Sequence, residues 1–129
     1  KDFYRALFMT KEEAYQLGVD AEEQARKYLE NKGMIFLRNR YRCPYGEIDL
    51  IMMDGDFIVF VEVKARSTAR PGTGLMAINR EKQNRLARAA VFFLRETGQR
   101  KAPARFDVIE INREGVIHLK NAFMPGLPV

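Results

Sequence analysis

The stretch GEIDLIMMDGDFIVFVEVKAR at residues 46–66 holds two apolar segments, and within these segments lie three acids, Glu47, Asp49 and Glu62, and a lysine, Lys64. Twelve residues separate Asp49 from Glu62, and Lys64 follows two positions later. Carboxylates that lie close together repel one another unless a proton or a cation neutralises them. With one His and one Cys in the chain, a Cys/His zinc cluster is excluded, and carboxylate oxygens favour Mg²⁺ or Mn²⁺. The spacing predicts a metal site at Asp49 and Glu62, with Lys64 beside it and Glu47 as a further acid.

A β-hairpin would bring these four side chains together. The apolar pattern predicts strands at Glu47–Met53 and Phe57–Ala65, and the Asp54-Gly55 dipeptide between them favours a tight type I′ turn. We therefore expect the two strands to pair directly and antiparallel.

The register of that hairpin determines which residues face each other. A two-residue loop at the Asp-Gly dipeptide places Asp49 opposite Phe60 and Glu47 opposite Glu62. Because side chains alternate between the faces of a strand, the three acids and Lys64 would share one face. Asp49 would then be a diagonal neighbour of Glu62, with about 7 to 8 Å between their backbones.

A helix is predicted before the hairpin. Thr10 followed by Glu13 resembles a capping box, and small and apolar residues recur at helical spacing until Gly33. Gly18 is compatible with a break in this helix, and in that case Asp20 offers a second N-terminus for the part that follows. The second half of the helix carries an acid, Glu22, on the same face as Gly18, whereas its neighbour Glu23 points nearly opposite.

The remaining elements complete an α/β fold. The pattern predicts a strand at Met34–Tyr41, a helix from Asn79 to about Gly98, and strands at Phe106–Ile111 and Val116–Leu119. The order α-β-β-β-α-β-β is typical of a mixed sheet flanked by helices. At 129 residues the chain suits one domain over residues 1–129, with residues 1–17 as a peripheral N-terminal segment.

Basic residues concentrate in the middle of the chain. Residues 64–105 hold eleven Lys or Arg against two acids, and the net charge of the whole chain is +5. This asymmetry favours a polyanionic partner, most often nucleic acid, although a merely soluble basic surface is the alternative. No run approaches the roughly 18 apolar residues of a membrane span. We therefore expect a cytoplasmic protein that does not enter a membrane.

The sequence resembles the PD-(D/E)xK nucleases, and within them the YraN-like bacterial family, relatives of archaeal-type Holliday junction resolvases. One departure is that Ile48 stands where the superfamily name has proline. The resemblance implies a restriction-endonuclease-like αβββαβ core. It is carried by GEIDLI at 46–51, VFVEVKAR at 59–66, the helical Gly18, Glu22, Ala25, Tyr28 and Leu29, Lys82-Gln83, RFDV at 105–108, and Asn121-Ala122-Phe123.

The resemblance also implies roles for single residues. Asp49 and Glu62 correspond to metal-binding acids, Lys64 to the catalytic lysine, and Glu22 to the helix acid that completes the site. Glu47 is left open between a further metal ligand and a solvent-exposed residue at a strand end. The residues expected to contact nucleic acid are Arg66, Arg70, Lys82, Gln83 and Arg85.

Two functions follow as expectations. The first is a Mg²⁺- or Mn²⁺-dependent nuclease that hydrolyses phosphodiester bonds in DNA rather than RNA, acting on branched or flapped structures in repair or recombination. The second is a nucleic-acid-binding module of nuclease descent that does not cleave, or a subunit that needs a partner. The sequence leaves open whether the chain forms a homodimer.

Overall fold

The structure, a computed structural model, describes residues 10–66, 75 and 78–124. Helix α1 spans Lys11–Asn31 and begins at the expected capping box, in which the Thr10 side chain accepts from the Glu13 N–H and the Glu13 side chain accepts from the Thr10 N–H. The helix runs without a break through Gly18, so the second start at Asp20 is wrong. The expected peripheral segment is partly described: residues 10–17 form the beginning of this helix.

Five strands form one mixed sheet in the order β1-β2-β3-β4-β5. All neighbouring strands are antiparallel except β3 and β4, which are parallel and joined by a crossover containing helix α2. The element order and the αβββαβ core with a mixed sheet flanked by helices are confirmed. The bounds are β1 Ile35–Cys43, β2 Gly46–Asp54, β3 Phe57–Arg66, α2 Arg80–Glu96, β4 Ala104–Asn112 and β5 Gly115–Phe123.

Each face of the sheet packs against one helix. On the α1 side, Leu29 is buried with Leu50 and Val61. On the α2 side, Leu86 and Phe93, seven residues apart and so on one face of the helix, are buried with strand residues. Each such side chain contributes about 1.5–3 kcal/mol when it leaves water. Burial on both faces makes the centre of the sheet a well-packed base for the strand segments that carry the acids.

The β2–β3 hairpin has a different register from the expected one. Asp54 pairs with Phe57, so the loop residues are Gly55 and Asp56, and Ile51 lies opposite Phe60. Gly55 has a φ of +59° at the first loop position, as a type II′ turn requires, so the type I′ turn at Asp54-Gly55 is wrong. The actual register is shifted by two residues, which preserves the face of every side chain and sets an apolar residue against the phenyl ring.

No helix within the described parts of the chain is long and apolar enough to cross a membrane.

Candidate functional site

Strands β2 and β3 part at Asp49. Their last paired residues are Leu50 and Val61. Beyond that pair, the Asp49 Oδ2 atom accepts a hydrogen bond from the Val63 N–H at 2.9 Å, so a side chain takes the place of a backbone carbonyl. This bond fixes the carboxylate at the point where the two strands diverge.

Strand β2 also rotates at this point. Ile48 packs in the core on the α2 side, whereas Leu50 packs on the α1 side, although residues two apart share a face in a regular strand. In strand β1, Arg40 lies opposite Asp49 and has a φ of +48°, a left-handed conformation that few residues other than glycine adopt. Both strands therefore bend where the candidate site lies.

Glu62 is the most buried of the candidate acids, with 5% of its side chain exposed. Its Oε2 atom is 3.2 Å from the Lys64 Nζ atom and 2.9 Å from the Lys82 Nζ atom. One lysine comes from the same strand and the other from helix α2. The Glu62 carboxylate is thus neutralised by two ammonium groups on a single oxygen.

Among the described residues, no lysine or arginine forms an ion pair with Asp49. Burial raises the pKa of its carboxyl to about 8, and the neighbouring charge of Glu62 acts in the same direction. The Val63 N–H opposes this shift, while Glu22 and a hydrogen bond with Glu62 add to it. Two close carboxylates share a proton when no cation separates them. The Asp49–Glu62 pair is therefore a place where a divalent cation would replace a proton.

Glu22 and Glu47 are two further acids near the Asp49–Glu62 pair. The Glu22 Oε1 atom accepts from the Arg40 Nε–H at 3.0 Å, and burial raises the Glu22 pKa, which Arg40 partly offsets. The charges of Glu47 and Glu62 raise it further. Glu47 itself is exposed and accepts from Arg42 Nε at 2.8 Å. Glu22 is thus part of the acidic cluster, and its exposed neighbour Glu23 is not.

A depression of about 140 Å³ opens over the acids and is lined in part by Glu47, Asp49, Lys82 and Arg85. Arg85 is exposed there and paired with Glu81 at 2.8 Å. Two positive side chains beside a carboxylate provide contacts for a phosphate on either side of a bound cation. The depression therefore gives access to Glu47 and Asp49, whereas Glu62 is not part of its lining.

The other expected nucleic-acid contacts are less directly placed. The Gln83 Nε2 atom donates to the Ile78 carbonyl at 3.1 Å, which fastens the segment before helix α2. Arg66 ends strand β3, and its buried Nε atom has no hydrogen-bond partner in the structure's described portion. Arg70 lies outside the described residues. These three assignments stay predictions.

A divalent cation fits this donor set. Among the residues that the structure describes, no three His, Cys, Asp or Glu side chains gather into a ready-made metal site. Mg²⁺, however, is commonly held by one or two carboxylates and keeps several waters. Asp49 and Glu62 each supply a carboxylate, and burial together with the charge of Glu62 raises the pKa of Asp49, as expected where a cation would be favourable. The two carboxylates therefore suit a cation whose remaining ligands are water molecules and oxygen atoms of a substrate.

Two contacts were missed by the sequence analysis. Lys82 was expected to meet nucleic acid but contacts Glu62, and Arg40 contacts Glu22. Both contacts depend on how a helix docks onto the sheet, and periodicity within one element carries no such signal. The helical spacing did identify Glu22 correctly as the acid facing inward.

The comparisons with known proteins agree on one family. The model of "Uncharacterised protein family UPF0102" matches residues 21–111. A UPF0102 protein of Desulfosudis oleivorans is 41% identical over 114 residues, covering 87% of this chain and 93% of that protein. One from Thermodesulfovibrio yellowstonii is 40% identical over 108 residues, covering 84% and 96%. The chain belongs to the UPF0102 family.

UPF0102 membership confirms the resemblance to the YraN-like family. The span matched by the UPF0102 model contains all the candidate acids and lysines, and it ends before strand β5. Among solved structures, this UPF0102 chain is similar to Pyrococcus furiosus SfsA in complex with Ca²⁺, at 13% identity and a TM-score of 0.31, covering 89% of this chain and 65% of that one. A likeness at that level carries no argument.

Proposed function

We propose that this protein is a Mg²⁺- or Mn²⁺-dependent nuclease that hydrolyses phosphodiester bonds of DNA. One observation carries the proposal. Asp49 and Glu62 are brought together where β2 and β3 part, and Lys64 contacts the same carboxylate. Acids facing a basic depression have no use in binding a phosphate backbone unless a cation lies between them.

Each residue has a defined task in this proposal. Asp49, fixed by the Val63 N–H, and Glu62 would hold the cation, which supplies charge neutralisation at the phosphate and an acidified water. Lys64 presents a compact charge beside Glu62, where it orients a water or stabilises charge on the phosphate oxygens. Glu22, oriented by Arg40, accepts hydrogen bonds at the edge of the site.

The basic residues around the depression would position the substrate. Lys82 and Arg85 line it, and both can contact phosphates without reading sequence. The net charge of +5 favours association with any DNA. We therefore propose low sequence specificity, with branched or flapped DNA of the kind met in repair or recombination as the preferred shape.

A second candidate is a nucleic-acid-binding module that does not cleave, or a subunit that needs a partner for activity. The observation that favours it is the pair of lysines on Glu62, which neutralise this acid without a metal. In a non-cleaving protein these ion pairs would be permanent structural contacts.

Cleavage assays separate the two candidates. Purified protein is incubated with Mn²⁺ and labelled duplex, flap, four-way and single-stranded DNA, and with RNA of the same sequences. We expect cleavage of a DNA substrate by the wild type, and a loss of about 10³-fold or more in Asp49→Asn and Glu62→Gln. Glu23→Gln, an exposed acid beside Glu22, is the matched control and should cleave like the wild type.

The substrate panel also tests the remaining parts of the proposal. Binding of DNA without cleavage of any substrate would favour the second candidate. Faster cleavage of RNA than DNA would contradict the substrate class. Equal Mn²⁺ affinity in the wild type, Asp49→Ala and Glu62→Ala, measured by calorimetry, would refute the metal site. Sedimentation with a four-way junction tests a homodimer, since two symmetric cuts need two active sites.

A further inference from the structure

Glu62 carries one more cation than its proposed role requires. The Nζ atoms of Lys64 and Lys82 both contact its Oε2 atom, at 3.2 and 2.9 Å. Lys64 belongs to the same strand, two residues further on. Lys82 comes from another element and makes the shorter contact. An oxygen that already accepts from two ammonium groups has little capacity left for a metal ion.

The backbone of Lys82 is firmly held. Its N–H donates to the Oδ1 atom of Asn79, the N-cap of helix α2, at 2.8 Å. The next N–H, that of Gln83, donates to the Asn79 carbonyl, and the Gln83 side chain donates to Ile78. The side chain of Lys82, by contrast, is 33% exposed and is a flexible four-carbon stem. Its ammonium can move while its Cα atom stays in place.

The surroundings of Lys82 offer a second position for its ammonium. Lys82 lines the depression together with Glu47, Asp49 and Arg85, whereas Lys64 is not part of that lining. A phosphate entering the depression would bring negative charge within reach of the Lys82 stem. Of the two lysines on Glu62, Lys82 is therefore the one that can leave the acid and still find a partner.

We propose that Lys82 holds the place of the metal ion on Glu62, is displaced when the cation binds, and then contacts a phosphate of the substrate. This inference rests on the proposed nuclease function. In the metal-free protein the Lys82 ammonium forms an ion pair with the Glu62 carboxylate and holds it in place. A divalent cation at Glu62 repels the ammonium, because at about 4 Å in water a unit charge repels a double charge by about 2 kcal/mol. Metal and nucleic acid would then bind cooperatively, each favouring the other.

Metal affinity in Lys82 variants tests the first half of the inference. Mn²⁺ is titrated by calorimetry into metal-free wild type, Lys82→Met, Lys82→Gln and Lys82→Arg. We expect both neutral variants to bind Mn²⁺ about fivefold tighter or more, because no ammonium has to be displaced. Lys82→Arg keeps the charge and should resemble the wild type. Arg88→Met, on the exposed side of the same helix, controls for loss of one positive charge and should not tighten binding.

Nucleic-acid binding tests the second half. The affinity for a short DNA duplex is measured against salt concentration, with Ca²⁺ as a divalent cation and again with chelator. With the cation, Lys82→Met should make the negative slope of log affinity against log salt shallower by about one. This change corresponds to the loss of one phosphate contact. With chelator the slope should stay the same, since Lys82 is then tied to Glu62. Arg88→Met should give the same change under both conditions.

The outcomes distinguish this inference from the proposed function. Equal or weaker Mn²⁺ binding in both neutral Lys82 variants overturns the displacement, while the metal site itself would still stand. If Lys82→Met makes the salt slope shallower by the same amount with and without the cation, Lys82 does not change its partner from Glu62 to a phosphate, and the second half of the inference is overturned. Absence of Mn²⁺ binding in the wild type and in every variant overturns both the inference and the proposed metal chemistry. Melting curves of each variant confirm that the measurements are made on folded protein.

Discussion

Two aspartates in the same sheet have opposite environments. Asp107 in strand β4 is completely buried and accepts from Arg105 Nε at 3.0 Å, from His118 Nε2 at 2.8 Å and from the Asn121 N–H at 2.9 Å. Asp49 in strand β2 accepts from the Val63 N–H, and the charges that act on its carboxyl are those of Glu62 and Glu22. Each of these three partners of Asp107 is a donor, whereas the carboxylates beside Asp49 repel its charge.

The pKa values follow from these partners. Burial alone would raise the pKa of Asp107, but hydrogen bonds from His118 and Arg105 outweigh it and hold the pKa below its usual value. Burial raises the pKa of Asp49 to about 8, and the charge of Glu62 adds to the shift. A buried carboxylate with all its partners supplied by the fold is structural. One whose neighbours are other acids is a candidate binding site for a cation, and this difference separates Asp107 from Asp49.

The network around Asp107 also fixes the end of the chain that the structure describes. Lys32 Nζ lies 3.2 Å from His118 Nδ1, and an ammonium can only donate, so Nδ1 accepts and the Nε2–H donates to Asp107. Arg105 extends the network to Asp54 at 2.8 Å. Helix α1, the β2–β3 hairpin and strand β5 are thus joined through one carboxylate.

The largest effect on stability is expected from breaking that network. Asp107→Asn should lower the free energy of unfolding by roughly 3–5 kcal/mol, because it removes one of the two carboxylates that pair with the buried Arg105 guanidinium. Urea unfolding followed by circular dichroism measures the change. Asp49→Asn should not lower the unfolding free energy of the metal-free protein at pH 7. The exposed Asp56→Asn is the control, and equal losses in all three variants would erase the comparison.

The pH dependence of stability should have opposite signs for the two aspartates. For Asp49 the folded pKa, about 8, lies above its ordinary value of 3.8, so the folded protein holds an extra proton between these limits. Its contribution to stability is full below about pH 4 and is lost as the pH rises through about 8. Urea unfolding of metal-free protein from pH 5 to pH 8 should show this decline, and Asp49→Asn should reduce it. A decline of the same size in that variant would contradict the assignment.

Asp107 should matter at the acidic end instead. Its folded pKa is lowered from 3.8, so its contribution is present above that value and is lost as the pH falls through the folded pKa. Asp107→Asn should therefore remove part of the acid unfolding transition below pH 4. If the acid unfolding of this variant below pH 4 is the same as that of the wild type, other carboxylates determine the pH at which the protein unfolds.

A smaller effect is expected from adding metal. Mn²⁺ must displace the proton from Asp49, so its stabilising effect should grow as the pH rises from 6 to 8.5. At 100 times the dissociation constant a bound ligand adds about 2.7 kcal/mol, seen as a higher melting temperature. Asp49→Asn should lose this increase, while Asp56→Asn should keep it. An increase that is independent of pH would mean that the cation binds elsewhere.

Much of the candidate site could be predicted from the sequence, and the reason is physical. Alternation along a strand places Asp49, Glu62 and Lys64 on one face, and this survives the error in register because a shift of two residues preserves the face. The error itself arose because Asp54-Gly55-Asp56 offers two loop positions for one glycine. The choice between them depends on Ile51 lying against Phe60, a contact that local turn propensity does not contain.

The contacts between elements could not be predicted in this way. Lys82 reaches Glu62 and Arg40 reaches Glu22 only once both helices have docked on the sheet. The same applies to Asp107, whose partner His118 is eleven residues away in another strand. The acids and Lys64 lie along one hairpin and follow from its pattern, whereas Lys82 and Arg40 reach the acids from other elements of the fold.

The smallest effect is expected at Glu47, which tests how far the acidic cluster extends. Glu47 is exposed and paired with Arg42 at 2.8 Å, so it has the solvent and the partner that Asp49 lacks. Glu47→Gln should change Mn²⁺ affinity by only about twofold, the effect of a charge several ångströms away in water. Arg42→Gln should change it by a similar factor in the opposite direction. A loss as large as that of Glu62→Gln would instead make Glu47 a metal ligand, and the boundary of the cation site would then move outward to the end of the hairpin.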